Sequence, residues 1–279
     1  MDNKSSFTEA LGRFGSLLSC FRSVAQPSAN WTLGRYEADS AALALVELAV
    51  QHCWAVHDLG ARDVRHYVGA TACARCSFES GATAAWLVFP DDPFDREGRW
   101  LGWYKDNERF YSQLARDLKS KSAADAENAR RAAERYAAWR TAIEAKLPRG
   151  TVTPKPNLPE ILTELGHLQL YAFYRGVSQV AHAEPDALEC VRRTEYDVVN
   201  HPGHVGPVLP VKGQTIHFGS FVEESDWTIP LRMAAWGVLI SAPMVLARLG
   251  ATAEAVNRLF EEQDRLHPAI DLLQRSLKR

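Results

Sequence analysis

Residues 157–185, NLPEILTELGHLQLYAFYRGVSQVAHAEP, constrain the fold more than any other stretch, because they carry the start, length and stop signals of one long helix. Asn157 can cap the first turn, Glu160 three residues on completes a capping box, and Pro159 sits where its missing N–H costs nothing. Pro185 disfavours helical backbone at the residue before it, so the spacing predicts an end or kink at Ala183 or Glu184. A chain organised around such a segment belongs with helix-on-helix architectures.

The remainder repeats that signal. Phe7, Leu11, Phe14, Leu18 and Phe21 form a stripe over 7–22, and residues 37–58 are Ala- and Leu-rich enough to be central. A third helix is expected over 62–89, stopped by the PDDP turn, and a fourth over 94–119, capped by Asp92 with Pro93 at its first position. Residues 123–147 have strong helix propensity, with Arg131, Glu134 and Arg135 on a solvated face. Between 195 and 228 the pattern changes to Pro, Gly and His with the short β-rich runs VGPVLPV and QTIHFGSFV, which reads as a long loop or small β-hairpin. Two helices, 229–249 and 251–277, then pack as a hairpin across Gly250. The expected fold is all-α: one domain over 1–279, a bundle of about eight helices, with the 195–228 insertion before the last two.

Apolar content of 46%, charged content of 24% and eight Trp are those of a chain with a full-sized core. A net charge of −2 argues against coating nucleic acid by bulk electrostatics, though a local RNA site stays open. Five Cys at irregular spacing suggest no disulfide framework and suit a reducing cytoplasm, and the polar N-terminus has no signal-peptide pattern. Residues 233–247, MAAWGVLISAPMVLA, are short for a bilayer and read as a buried core helix, so no membrane partner is expected. Cys73 and Cys76 read as two small core residues, and His201 and His204 in NHPGH as parts of a turn. Glu164 and His167 form a single E-x-x-H, whereas di-iron bundles need two; no metal or cofactor is expected.

The chemistry-bearing residues gather on the organising helix. At 100° per residue Tyr171, Arg175, Ser178 and His182 fall within a sector of roughly 60°, with Arg175 and His182 two turns, about 10 Å, apart. A phosphate could bridge that guanidinium and imidazole. On the third helix, Arg75 precedes Glu79 by four, the weaker order for an exposed pair, which favours an inward role. The plainer reading is a polar seam between packed helices, in which these groups satisfy one another.

The segment Arg175–His182, RGVSQVAH, set in a helical chain, resembles the HEPN superfamily of small α-helical bundles, whose mark is an Arg and a His separated by four to six residues. Gly176 stands where many members carry a polar residue. The chain also resembles a looser group of uncharacterised bacterial helical proteins with an R-x-x-x-E helix, here Arg75 to Glu79, and a Y-x-x-x-S-x-x-x-H helix, here Tyr174 to His182. The HEPN resemblance implies a metal-independent ribonuclease of a toxin or phage-defence system. Arg175 and His182 would be catalytic with Ser178 between them, and Arg75, Glu79, Tyr171 and Tyr174 would support them. It further implies RNA as substrate, a homodimer, and an antitoxin or other protein partner. The alternative is a non-catalytic interaction protein in which the same residues form a buried polar network.

Overall fold

Small residues decide the centre of the structure. The computed structural model describes residues 5–26, 36–147, 152–181, 192–194, 204–211, 214–220 and 222–275, and it is an all-α multi-helix bundle. The described residues form nine α-helices: α1 (Ser6–Val24), α2 (Glu37–Arg62), α3 (Tyr67–Val88), α4 (Pro93–Leu118), α5 (Ala123–Glu144), α6 (Leu158–Glu164), α7 (Leu170–Ala181), α8 (Thr228–Leu249) and α9 (Ala253–Arg275). Helices α2, α3 and α8 pack mutually, α7 lies on α3, and α1 packs along α9.

Helix α3 buries Ala70, Ala74, Ser77, Gly81, Ala82, Ala84 and Ala85, so neighbouring backbones can come close. A Cβ on Gly81 would lie 1.8 Å from the Gly237 carbonyl oxygen of α8, and one on Gly237 would lie 2.6 Å from the Ser77 oxygen. At the same crossing the hydroxyl of Ser77 and the thiol of Cys53 on α2 each donate to the Ala234 carbonyl of α8, both at 3.2 Å. Burial pushes the Cys53 thiol up to about 12, so it stays a protonated donor. The stretch 224–249 is long and apolar enough to cross a membrane, but 72% of its most apolar window is buried inside the protein, as befits a core helix.

Helices α4 and α5 form a hairpin whose aromatic seam stacks Trp100 on Tyr104 at 5.0 Å and sets Trp139 edge-on to Trp100 at 4.4 Å. Two buried charges fasten it to the bundle. Arg96 Nε donates to Asp39 Oδ1 of α2 at 2.8 Å and its Nη1 to the carbonyls of Pro90 and Asp91 beyond α3, at 3.1 and 2.8 Å. Tyr36 gives α2 no side-chain cap, and Glu97 supplies one across the fold by accepting the Ala38 amide at 2.9 Å. Burial raises the pKa of that carboxyl. Arg99 lies 5.1 Å over the Trp86 ring, donates to the Trp86 carbonyl at 2.7 Å and pairs with Glu164, joining α4 to α3 and α6.

The expected single helix over 157–185 is two helices. The capping box is formed, Asn157 accepting the Glu160 amide at 3.1 Å and Glu160 the Asn157 amide at 2.9 Å. Beyond Glu160, Gly166 adopts φ 75° and ends α6. The His167 amide donates to Leu162 O at 2.7 Å and the Gly166 amide to Thr163 O at 3.1 Å, a Schellman closure that turns the chain before α7. This break separates Glu164 from His167 and supplies one helix beyond the expected eight. Residues 182–185, where the proline stop was expected, lie outside the described residues. Gly250, at φ 94°, makes the corresponding turn between α8 and α9.

Before α8, strands β2 (His204–Val211) and β3 (Gln214–Ser220) lie within the 195–228 insertion and β1 (Arg192–Thr194) just ahead of it; the three form an antiparallel sheet of order β1-β3-β2, its β2/β3 register interrupted between Val205 and Val208. The third strand, β1, adds to the hairpin expected from the two β-rich runs.

Glycine-to-alanine substitutions should have opposite signs by position. Gly81→Ala should destabilise by about 1–3 kcal/mol because the added methyl meets backbone. Gly12→Ala in α1, with nothing within 4 Å of the new carbon, should stabilise by about 0.5–1 kcal/mol. Urea denaturation of the two variants checks both.

Candidate functional site

Helix α7 lies on α3 with Leu170 and Val177 buried and, between them, the half-buried Tyr174 ring 6.1 Å from that of Phe78 on α3. The Tyr174 hydroxyl donates to Glu79 Oε1 at 2.5 Å, and Arg75 Nε donates to the same oxygen at 2.8 Å. The Arg75 guanidinium also lies 5.6 Å from the Tyr174 ring centroid. A phenol, a carboxylate and a guanidinium therefore interlock across two helices. Tyr171 stacks on Tyr174 one turn earlier, centroids 5.7 Å apart and planes 18° apart. Burial raises the Tyr174 pKa and the Glu79 carboxylate adds to that, while nearby Ser178 and Arg75 pull it down. The buried Ser178 hydroxyl completes no well-formed hydrogen bond among the described residues, yet lies close enough to influence the phenol.

Of the residues selected from sequence, Arg75, Glu79, Tyr174 and Ser178 come together, with Tyr171 alongside. Arg175 is exposed. The helical sector that appeared to be one face thus straddles the boundary between the α3 contact and solvent. His182 lies outside the described residues, as do His201 and the side chain of His204.

The cysteine reading is corrected by the structure. Cys76 is exposed and Cys73 only partly buried, so the C-x-x-C pair is not the core pair expected; among the described residues the buried thiol is Cys53, in the α2/α3/α8 contact. Spacing alone misplaced the pair because Cys76 shares the outer edge of α3 with Arg75. Among the described residues no three His, Cys, Asp or Glu side chains gather as a metal site would need.

Sequence reasoning missed the neighbouring cavity of about 370 Å³, lined by Glu79 and Thr83 of α3, Asp106 of α4, the link residues Lys155 and Asn157, and Ile161 of α6. Its signal was a glycine spacing. Gly98 and Gly102, four apart on α4, let the extended link lie directly on the helix: the Thr153 amide donates to Gly98 O at 3.1 Å, and a Cβ on Gly102 would lie 1.7 Å from Thr153 O. That seat carries Lys155 over the Trp103 ring at 5.9 Å.

Comparison of the chain with protein-family models, curated proteins and solved structures finds no match.

Tyr174→Phe should lower stability by about 1 kcal/mol at neutral pH by removing one partly exposed hydrogen bond to a carboxylate. Because folding raises this pKa, the wild-type advantage should be full below the free-tyrosine value near 10 and decline as pH rises through the folded value. Denaturation midpoints of both proteins across alkaline pH measure it.

Proposed function

We propose that the chain is a metal-independent, HEPN-like ribonuclease acting in the cytoplasm as a homodimer, an effector of the toxin or phage-defence kind with an antitoxin or other protein partner. The observation that carries this reading is the exposed guanidinium of Arg175, immediately following the Tyr174 that Glu79 holds against α3. A residue next to a fixed phenol on a helix has a defined direction, so Arg175 can meet a phosphate without first ordering its backbone.

In this mechanism the ribose 2′-hydroxyl attacks the adjacent phosphorus. Arg175 neutralises charge building on the phosphate oxygens, and His182 carries the proton to or from the reacting oxygens. Arg75, Glu79 and Tyr174, with Tyr171 stacked beside them, position α7 and do not touch the substrate. The buried Ser178 hydroxyl lies near the Tyr174 phenol.

A second reading is a helical interaction protein in which the same network is purely structural. It is favoured by Phe173, 44% exposed on α7 and edge-on to Trp236 of α8 at 5.1 Å, an aromatic pair suited to a protein contact.

The two readings separate in one assay. With EDTA present, purified wild-type protein should cleave mixed-sequence RNA, and Arg175→Ala and His182→Ala should each slow cleavage on the order of 100-fold or more with unchanged melting temperature. Wild-type protein that leaves RNA intact, or variants as active as wild type, would exclude the nuclease and leave the interaction reading.

A further inference from the structure

The cavity beside the network contains a lysine with an unusual setting. Lys155 projects from a short link between Pro154 and Pro156, on backbone fixed against Gly98 and Gly102. It is partly buried, lies against the Trp103 ring, and has no ion-pair partner within 4 Å among the described residues. Two carboxylates, Glu79 and Asp106, nevertheless line the same cavity.

An anionic guest would be repelled by those carboxylates, so an anion site is disfavoured. A neutral, electrophilic guest suits the arrangement better. We propose that this cavity binds a small aldehyde or ketone and that Lys155 condenses with it to form an imine, Glu79 and Asp106 exchanging the protons. At about 370 Å³ the cavity is near the small end for ligand sites, which suits a compound of a few carbons.

The step balances without any oxidant or reductant. The neutral amine nitrogen of Lys155 attacks the carbonyl carbon and the C=O π pair moves onto oxygen. Transfer of one proton from the nitrogen to that oxygen gives the carbinolamine. The proton that the Lys155 ammonium sheds before the attack passes to one of the two carboxylates, and the carboxyl so formed donates it to the hydroxyl, which leaves as water as the C=N bond forms and an iminium remains. Burial pushes the Lys155 ammonium below the ordinary lysine range, with Asp106 and Glu79 offsetting part of this. Those carboxylates are themselves held by cations, Asp106 by Arg109 at 3.7 Å and Glu79 by Arg75 at 2.8 Å, which limits how far they can restore the lysine's charge. A partly desolvated amine keeps more of the neutral, nucleophilic form near pH 7.

The experiment uses the intact wild-type chain with glycolaldehyde and sodium cyanoborohydride at pH 7, which converts an imine into a stable secondary amine. Chymotryptic peptide mapping by mass spectrometry then compares Lys155 with Lys119 and Lys121, both exposed. Lys155 should be labelled at least tenfold faster than either, and urea-unfolded protein should lose that preference. Equal or slower labelling of Lys155 in the folded chain, or a preference that persists after unfolding, would overturn the proposal. The assay contains no RNA, so its result is separate from that of the nuclease reading.

Discussion

The contact on which the rest of the structure depends is the glycine-to-glycine crossing of α3 and α8. With no side chain at Gly81 or Gly237, two helical backbones meet at a distance no other residue pair would permit, and Ser77 and Cys53 share the Ala234 carbonyl there. Close approach brings the small residues of α3 into contact with α8 and α2. It also leaves the opposite edge of α3, with Arg75 and Glu79, facing α7 and the link. A helix made for close packing on one side thus serves as a polar platform on the other.

The hairpin of α4 and α5 joins that platform by a different physical means. Arg96 and Asp39 form a buried pair with remaining donors used by carbonyls, and Glu97 substitutes for the missing cap of α2. Such pairs contribute little net stability over apolar packing, but losing one partner is expensive, so they fix where the hairpin sits. The fixed hairpin presents Gly98 and Gly102 to the link, and the link places Lys155. A backbone contact on α4 therefore determines the chemistry available at α3.

Much of this was legible in the residues. Helix starts follow from Asn157 with Glu160 and from Asp92 with Pro93, and the apolar run at 233–247 reads as core, because caps and burial are local or compositional signals. The break at Gly166 is not legible in the sequence, since a lone glycine in a periodic stretch costs only about 1 kcal/mol in a helix and does not by itself announce a left-handed turn. The pairing of Glu79 with Tyr174 depends on how α7 lies on α3, and Lys155 depends on a chain crossing. Helical phase alone placed Arg175 and Ser178 together, whereas the α3 contact divides them into an exposed guanidinium and a buried hydroxyl.

If the crossing of α2, α3 and α8 is the thermodynamic centre, native-state hydrogen exchange should report it residue by residue. The slowest amides should lie in α3 around 77–82 and in α8 around 234–240, opening only with global unfolding, while those of α4 and α5 beyond Trp100 and Trp139 exchange through smaller openings. Slowest exchange in the α4/α5 hairpin, or in α1 and α9, would contradict this account of what the fold is built on.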